Sequence, residues 1–204
     1  MMTQRFWLVF LLVLIQAGCS LGGPSRPSEF YVLSAEPGTP VAGRNAAEGA
    51  LSVGLGPVSL PDMLDRPQIV TRPDANRIDL AEFDRWGGDL KRSLVRVLGQ
   101  DLMSRLGTDR VFPFPWSSSD RPDVQVAIHF FQFDGELGRI AQIEGVWRLL
   151  DGSGGCELSA QRFGIEKLPA GEGYAEFVAA MSLAVAELSQ QIAENIAATQ
   201  PGCP

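Results

Sequence analysis

A two-layer α/β sandwich of the α+β class, with a mainly antiparallel sheet covered by two amphipathic helices, is the fold this sequence predicts. Three observations point to it. Alternating apolar and polar residues from Val124 to Ile165, broken by turn residues, read as three consecutive strands. Two longer segments, Asp84 to Leu106 and Tyr174 to Thr199, instead repeat apolar residues every three or four positions, as helices with one buried stripe do. Each apolar face needs another to cover it, so helices and sheet must stack.

Taken in order, Phe30-Tyr31-Val32-Leu33 is a short first strand, and the Pro-, Gly- and Asn-bearing stretch from Glu36 to Gly49 is a loop. Leu51 to Leu55 alternates apolar and small residues as a half-buried strand does. Pro57, Pro61, Pro67 and Pro73 then prevent one continuous central strand, because proline cannot donate to a ladder; Gln68 to Thr71 and Arg77 to Leu80 are left as a pair of short edge strands.

The first helix is expected from about Asp84, with Trp86, Leu90, Leu94, Val97, Leu98, Leu102 and Leu106 on its stripe and Lys91, Arg92, Arg96 and Asp101 mostly off it. Gly107 stops it. Gly87-Gly88 is costly inside a helix and implies a later start or the close approach of another backbone. In the sheet, Val124, Val126, Ile128 and Phe130 face one way, and the change of phase at Phe131 and Phe133 marks a bulge. Ala141 to Leu149 alternates likewise, Asp151 to Gly155 is a turn, and Cys156 to Ile165 returns, giving an antiparallel meander with one polar face. The final helix places Phe177, Met181, Val185, Leu188, Ile192 and Ile196 on one side.

Little in the chain suggests catalysis. The single histidine, His129, has no Gly-x-Ser-x-Gly elbow to supply a serine and reads as solvated or structurally bonded. There is no phosphate-cradling Gly-x-x-x-x-Gly-Lys loop, no Cys/His cluster at zinc spacing, and no cofactor is expected. Asp62 with Asp65, or Asp79 with Glu82 and Asp84, could pair as acid and base. Turn and helix-start chemistry also accounts for them, with Asp79 or Asp84 accepting the free N–H groups of the first helix.

The N-terminus has the layout of an export signal. Arg5 precedes the apolar run Phe6 to Ile15, ten residues against the ~20 needed to span a bilayer. Ala17-Gly18-Cys19 then looks like a lipoprotein cleavage and acylation site, giving a signal peptide over 1–18. Residues 19–29 form a lipidated start and tether, 30–200 a single periplasmic domain, and 201–204 a tail. An ordinary secretory signal, leaving Cys19 as a free thiol, is the alternative. The tether, Ser20 to Ser28, reaches at most ~30 Å. Likeness to other lipoproteins, which an aspartate after the cysteine holds at the inner membrane, implies that Ser20 sends this one to the outer membrane.

Without Arg5 the chain has 16 basic residues against 24 acidic ones, a net charge of −8 that argues against nucleic acid as a partner. Once Cys19 is acylated, Cys156 and Cys203 remain, either bridged in an oxidising compartment or left as two thiols.

The segment Gly56 to Arg72, with its Leu60-Pro61-x-x-Leu64-Asp65-Arg66-Pro67-Gln68-Ile69-Val70 core, then Asn76-Arg77-Ile78 and Glu82 to Trp86, resembles the ABC-type transport auxiliary lipoproteins, the family of the C component of the paraquat-inducible (Pqi) system. Val111 to Trp116 and Phe30 to Leu33 also fit that pattern. Gln16, where an aliphatic residue is usual, and Gly87-Gly88 depart from it. The resemblance implies an outer-membrane lipoprotein that works with an MCE-domain protein of the inner membrane in intermembrane lipid transport. Asp62, Asp65, Arg66, Gln68 and Arg72 are the candidate partner-contact residues, in a loop that otherwise only wraps the sheet edge. Self-association through Phe131 or Phe133 is a further expectation, and a lipid-carrying module is the alternative to a docking part.

Overall fold

The computed structural model describes residues 26–41, 51–117 and 120–199. Eight strands and two long helices follow one another as β1 (Glu29–Tyr31), β2 (Val53–Ser59), β3 (Gln68–Asp74), β4 (Arg77–Trp86), α1 (Leu90–Leu106), β5 (Val111–Pro113), β6 (Val124–Glu136), β7 (Ile140–Asp151), β8 (Glu157–Lys167) and α2 (Tyr174–Ala198). A single 3-10 turn, Asp62–Leu64, sits between β2 and β3. The strands form two sheets, a small one ordered β1-β4-β3 and a large one ordered β5-β2-β6-β7-β8. The predicted α+β class holds, with the strands shared between two sheets.

The meander from β6 to β8 is antiparallel as the alternation requires, and its ladder slips between Phe130 and Gln132, at the bulge that the change of phase marks. Val126, Ile128, Phe130, Ile143, Trp147 and Leu149 are all buried on the face that meets the helices. Each such side chain contributes roughly 1.5–3 kcal/mol through removal from water. Burial differs from expectation at Phe133, which is 2% exposed and stacks edge-on to Phe130, so it is unable to pack between copies; Phe131, 45% exposed, remains available. Strand β2 pairs parallel to both β5 and β6, a central position that its prolines argued against. The ladder tolerates Pro57 because register shifts between Leu55 and Val58. Gly56 makes the shift feasible, with a φ of 131° and a site where a Cβ would lie 2.5 Å from Phe114. The strand is also buried on both faces over Val53 to Gly56, not on one.

Helix α1 starts later than its periodicity suggests. Residues 84–86 finish β4, Gly87-Gly88 turns the chain, and Asp89 is the N-cap, its side chain accepting from Arg92 N at 2.7 Å. Asp79 and Asp84 are therefore strand residues and cap nothing. The glycine pair serves close approach: a Cβ on Gly87 would lie 2.9 Å from Val32 Cγ1. The helix ends at Gly107 in the left-handed region with φ 62°, as its sequence requires.

Asp101 lies inside, in contrast to its predicted place off the stripe. It and Arg105 are 1% and 4% exposed, at the seam between α1 and α2. Asp101 accepts from Glu36 N at 2.9 Å and Ser189 Oγ at 3.4 Å and lies 3.5 Å from Arg105 NH1. A charge is tolerated here because its partner and hydrogen bonds enter the core with it. Burial pushes the Asp101 carboxyl above its ordinary value, outweighing the pull of Arg105.

The two sheets are tied by Arg72 on β3. Its Nε and NH2 donate to Asp134 on β6 at 3.0 and 2.8 Å, and the Asp134 side chain is fully buried. Gln132 Nε2 adds a third donor at 2.7 Å.

Removing Arg72 leaves that carboxylate buried and short of its cation, so Arg72→Ala should cost roughly 2–4 kcal/mol and lower the melting temperature by about 5–15 °C. An unchanged melt would show that the pair contributes nothing. At Asp101, a carboxyl with a raised value in the fold contributes stability that is fully present below the unfolded Asp value of about 3.9 and is lost as pH rises through the folded value. Urea midpoints across acidic pH should therefore shift in favour of the wild type over Asp101→Asn as pH falls. The opposite slope would mean that Arg105 holds Asp101 charged.

Candidate functional site

The loop from Leu60 to Pro67 carries the chain from the large sheet to the small one, because β2 belongs to the first and β3 to the second. Pro61 precedes the 3-10 turn, Leu64 is pinned in the core at 3% exposure, and Arg66 N donates to Leu64 O at 2.8 Å. The return crossing, Gly87 to Leu90, takes the chain from β4 to the start of α1, which packs over β2 and β5. Between the two crossings lies a cleft of about 610 Å³.

One wall of the cleft carries Asp62, Asp65 and Arg66, and the other Asp89 and Lys91. Asp62 and Asp65 are exposed, whereas Arg66 is half-buried and its Nε is a buried donor with no partner among the described residues. That nitrogen is a standing demand for an acceptor, since an unmet buried donor costs free energy.

The five sequence-predicted contact residues thus divide. Asp62, Asp65 and Arg66 share the cleft, while Gln68 opens β3 opposite Arg85 and Arg72 is engaged with Asp134. The carboxylates Asp79 and Glu82 are exposed on β4. Asp84 is buried and accepts from Tyr31 OH at 3.0 Å. Burial, with Glu29 and Asp84 beside it, holds the Tyr31 phenol well above the usual tyrosine range. This bond and the parallel pairing of β1 with β4 fix where the N-terminal segment joins the domain.

Sequence reading missed one constellation. Ser59 Oγ and His129 Nδ1 are hydrogen-bonded at 2.5 Å, side by side on paired strands. The ring of His129 meets Phe131 edge-on at 5.1 Å, and Arg162 lies over Phe131 at 5.6 Å. No carboxylate is hydrogen-bonded to His129 among the described residues, so the pair lacks the third group that orients a catalytic imidazole. Only the parallel register of β2 with β6 reveals the contact, and 69 intervening residues hide it from any local motif. No group of three or more His, Cys, Asp or Glu side chains among the described residues is placed to hold a metal ion. No helix among them is long and apolar enough to cross a membrane.

Cys19 and Cys203 lie outside the described residues. Cys156, in the turn before β8, is disulfide-bonded.

The fold has solved counterparts. A crystal structure described as an uncharacterized protein superposes with a TM-score of 0.68 at 22% identity, covering 84% of this chain and 99% of that one. Protein XCC0632 from Xanthomonas campestris, of the DUF330 family, gives 0.69 at 17% identity, covering 84% and 95%. Among curated proteins none matches the sequence. A family model described as the ABC-type transport auxiliary lipoprotein component matches residues 31–193, from the last residue of β1 through β8 and most of the closing helix. With the cleft-forming loop and the α/β core inside that span, the chain belongs to the ABC-type transport auxiliary lipoprotein family.

Proposed function

We propose that this protein is acylated at Cys19, held at the periplasmic face of the outer membrane, and acts as a non-catalytic docking part for an MCE-domain protein rooted in the inner membrane. Family membership supports an auxiliary role in ABC-type transport. The observation that carries the docking reading is the cleft between the two crossings, where Asp62, Asp65, Arg66 and Lys91 converge on one concave surface. A carbonyl or carboxylate from a partner would meet the half-buried Arg66 guanidinium where it lines the cleft, and Arg is among the residue types on which interfaces most depend. Strand β1 begins at Glu29, so only Ser20 to Ser28 separate the domain from a lipid on Cys19, at most ~30 Å of chain. A partner in the opposite membrane must therefore reach to this domain. The Arg72 guanidinium is engaged with Asp134, so the proposed contact rests on Arg66.

Capture of the partner from solubilised membranes tests the reading. Asp62→Lys with Arg66→Ala should reduce capture at least about tenfold while leaving the melting curve in place. Undiminished capture would overturn the role of the cleft. The same preparation tests the N-terminus. Its intact mass should show acyl chains on Cys19, and a bridge between Cys156 and Cys203 should leave Cys156 reactive towards maleimide only after reduction or in Cys203→Ser. A bridge from Cys156 to an unacylated Cys19 would contradict the lipoprotein reading.

A further inference from the structure

Helix α1 and strand β5 leave a groove of about 680 Å³ along the flank of the sandwich, a volume typical of small-ligand sites. Its floor is apolar, with Leu55 and Val111 supplied by the strands and Val95, Gly99 and Met103 by the helix. Gly99 keeps the floor open: a Cβ there would meet nothing closer than Leu55 Cδ2 at 3.9 Å, so a longer side chain has room to fill the groove.

The chemistry changes from one end to the other. Lys91 and Arg92 line the end near the helix start and Arg96 the next turn, and Met103 lies about 18 Å beyond Lys91 and about 10 Å beyond Arg96 along the axis at 1.5 Å per residue. Asp89 is the one carboxylate in the lining, and it is engaged in capping the helix. Arg96 is held in place by the Leu33 carbonyl at 2.7 Å and Gln100 Oε1 at 2.9 Å, and Arg92 Nε lies 3.7 Å from the Asp89 carboxylate, which leaves the cations in excess of the one carboxylate. On a chain of net charge −7, three cations gathered at one end of an apolar groove reverse the local sign. The cationic end also borders Tyr31 and Val32, where the N-terminal segment joins the domain.

We propose that this groove binds a single acyl chain with an anionic head. Lys91, Arg92 and Arg96 take the carboxylate or phosphate through charge-assisted hydrogen bonds, and the chain runs over Gly99 towards Met103. A peptide fits less well, because beyond the cationic end only Gln100 offers a polar side chain to a buried backbone. The groove shares Asp89 and Lys91 with the docking cleft at the inter-sheet crossings, but its apolar floor from Val95 to Met103 lies outside that cleft.

The test uses the full-length protein in its own membranes, exposed to photoreactive palmitate, photoreactive lysophosphatidylglycerol and photoreactive hexadecanol, with adducts mapped by peptide mass spectrometry. Palmitate or lysophosphatidylglycerol should label the peptides holding Val95 to Met103 and Val111 to Phe114, and the stronger of the two identifies the head. Gly99→Leu should cut this labelling about tenfold for every probe. Arg92→Glu, exposed and outside both the core and the docking cleft, should cut labelling by the anionic probes about tenfold and spare hexadecanol. Three results would overturn the proposal: no adducts at these peptides, labelling unmoved by both variants, or hexadecanol labelling the wild type as strongly as either anion. A photoreactive amino acid at Gln100 reports a protein occupant, and a cross-linked polypeptide there without lipid adducts would overturn it too.

Discussion

The bidentate pair between Arg72 and Asp134 sets the relation between the two sheets. The small sheet meets the large one through β3 against β6, and Arg72 holds that contact with a guanidinium facing a carboxylate fully removed from water. Such a pair is poor evidence of net stability, but breaking it is expensive, so it fixes one arrangement over others. Two of the chain crossings between the sheets, those that frame the cleft, hang on that arrangement. The first carries Asp62, Asp65 and Arg66, and the second carries Gly88, Asp89 and Lys91. Their separation, and with it the shape of the cleft, follows from how the sheets are held.

Where the sequence was legible, periodicity and burial agreed. The strands β6 to β8 and helix α2 are long and amphipathic, and one face of each lies in the core, so the alternation is a direct imprint of packing. Even the bulge after Phe130 shows as a slip of phase. What could not be read depends on partners distant in the chain. Asp84 to Trp86 look like the first turn of a helix, yet they pair in parallel with Glu29 to Tyr31, and the helix waits for its Asp89 cap. Asp101 looks like an exposed charge, because nothing local announces that Glu36 N and Ser189 will meet it inside.

The candidate site was half legible for the same reason. Asp62, Asp65 and Arg66 lie in one proline-bounded loop, and the structure brings them together in the cleft. Arg72, only six residues on, belongs to a strand whose partner face is inside, so its charge is spent within the fold. The groove beside α1 was not legible at all, since it needs Gly99 on a helix to stand over Leu55 and Val111 on two strands. An inert-looking chain without a catalytic motif thus carries two concave surfaces, one polar and one apolar with a cationic end, consistent with an auxiliary part of a transport system.

The central claim is that one ion pair holds the small sheet, and the crossings that frame the cleft, against the large sheet. Amide hydrogen exchange on Arg72→Ala tests it most directly. The account predicts faster exchange confined to β3, β4 and the loop from Leu60 to Pro67, with β6 to β8 and α2 protected as in the wild type. Protection unchanged throughout, or lost evenly across both sheets, would contradict it.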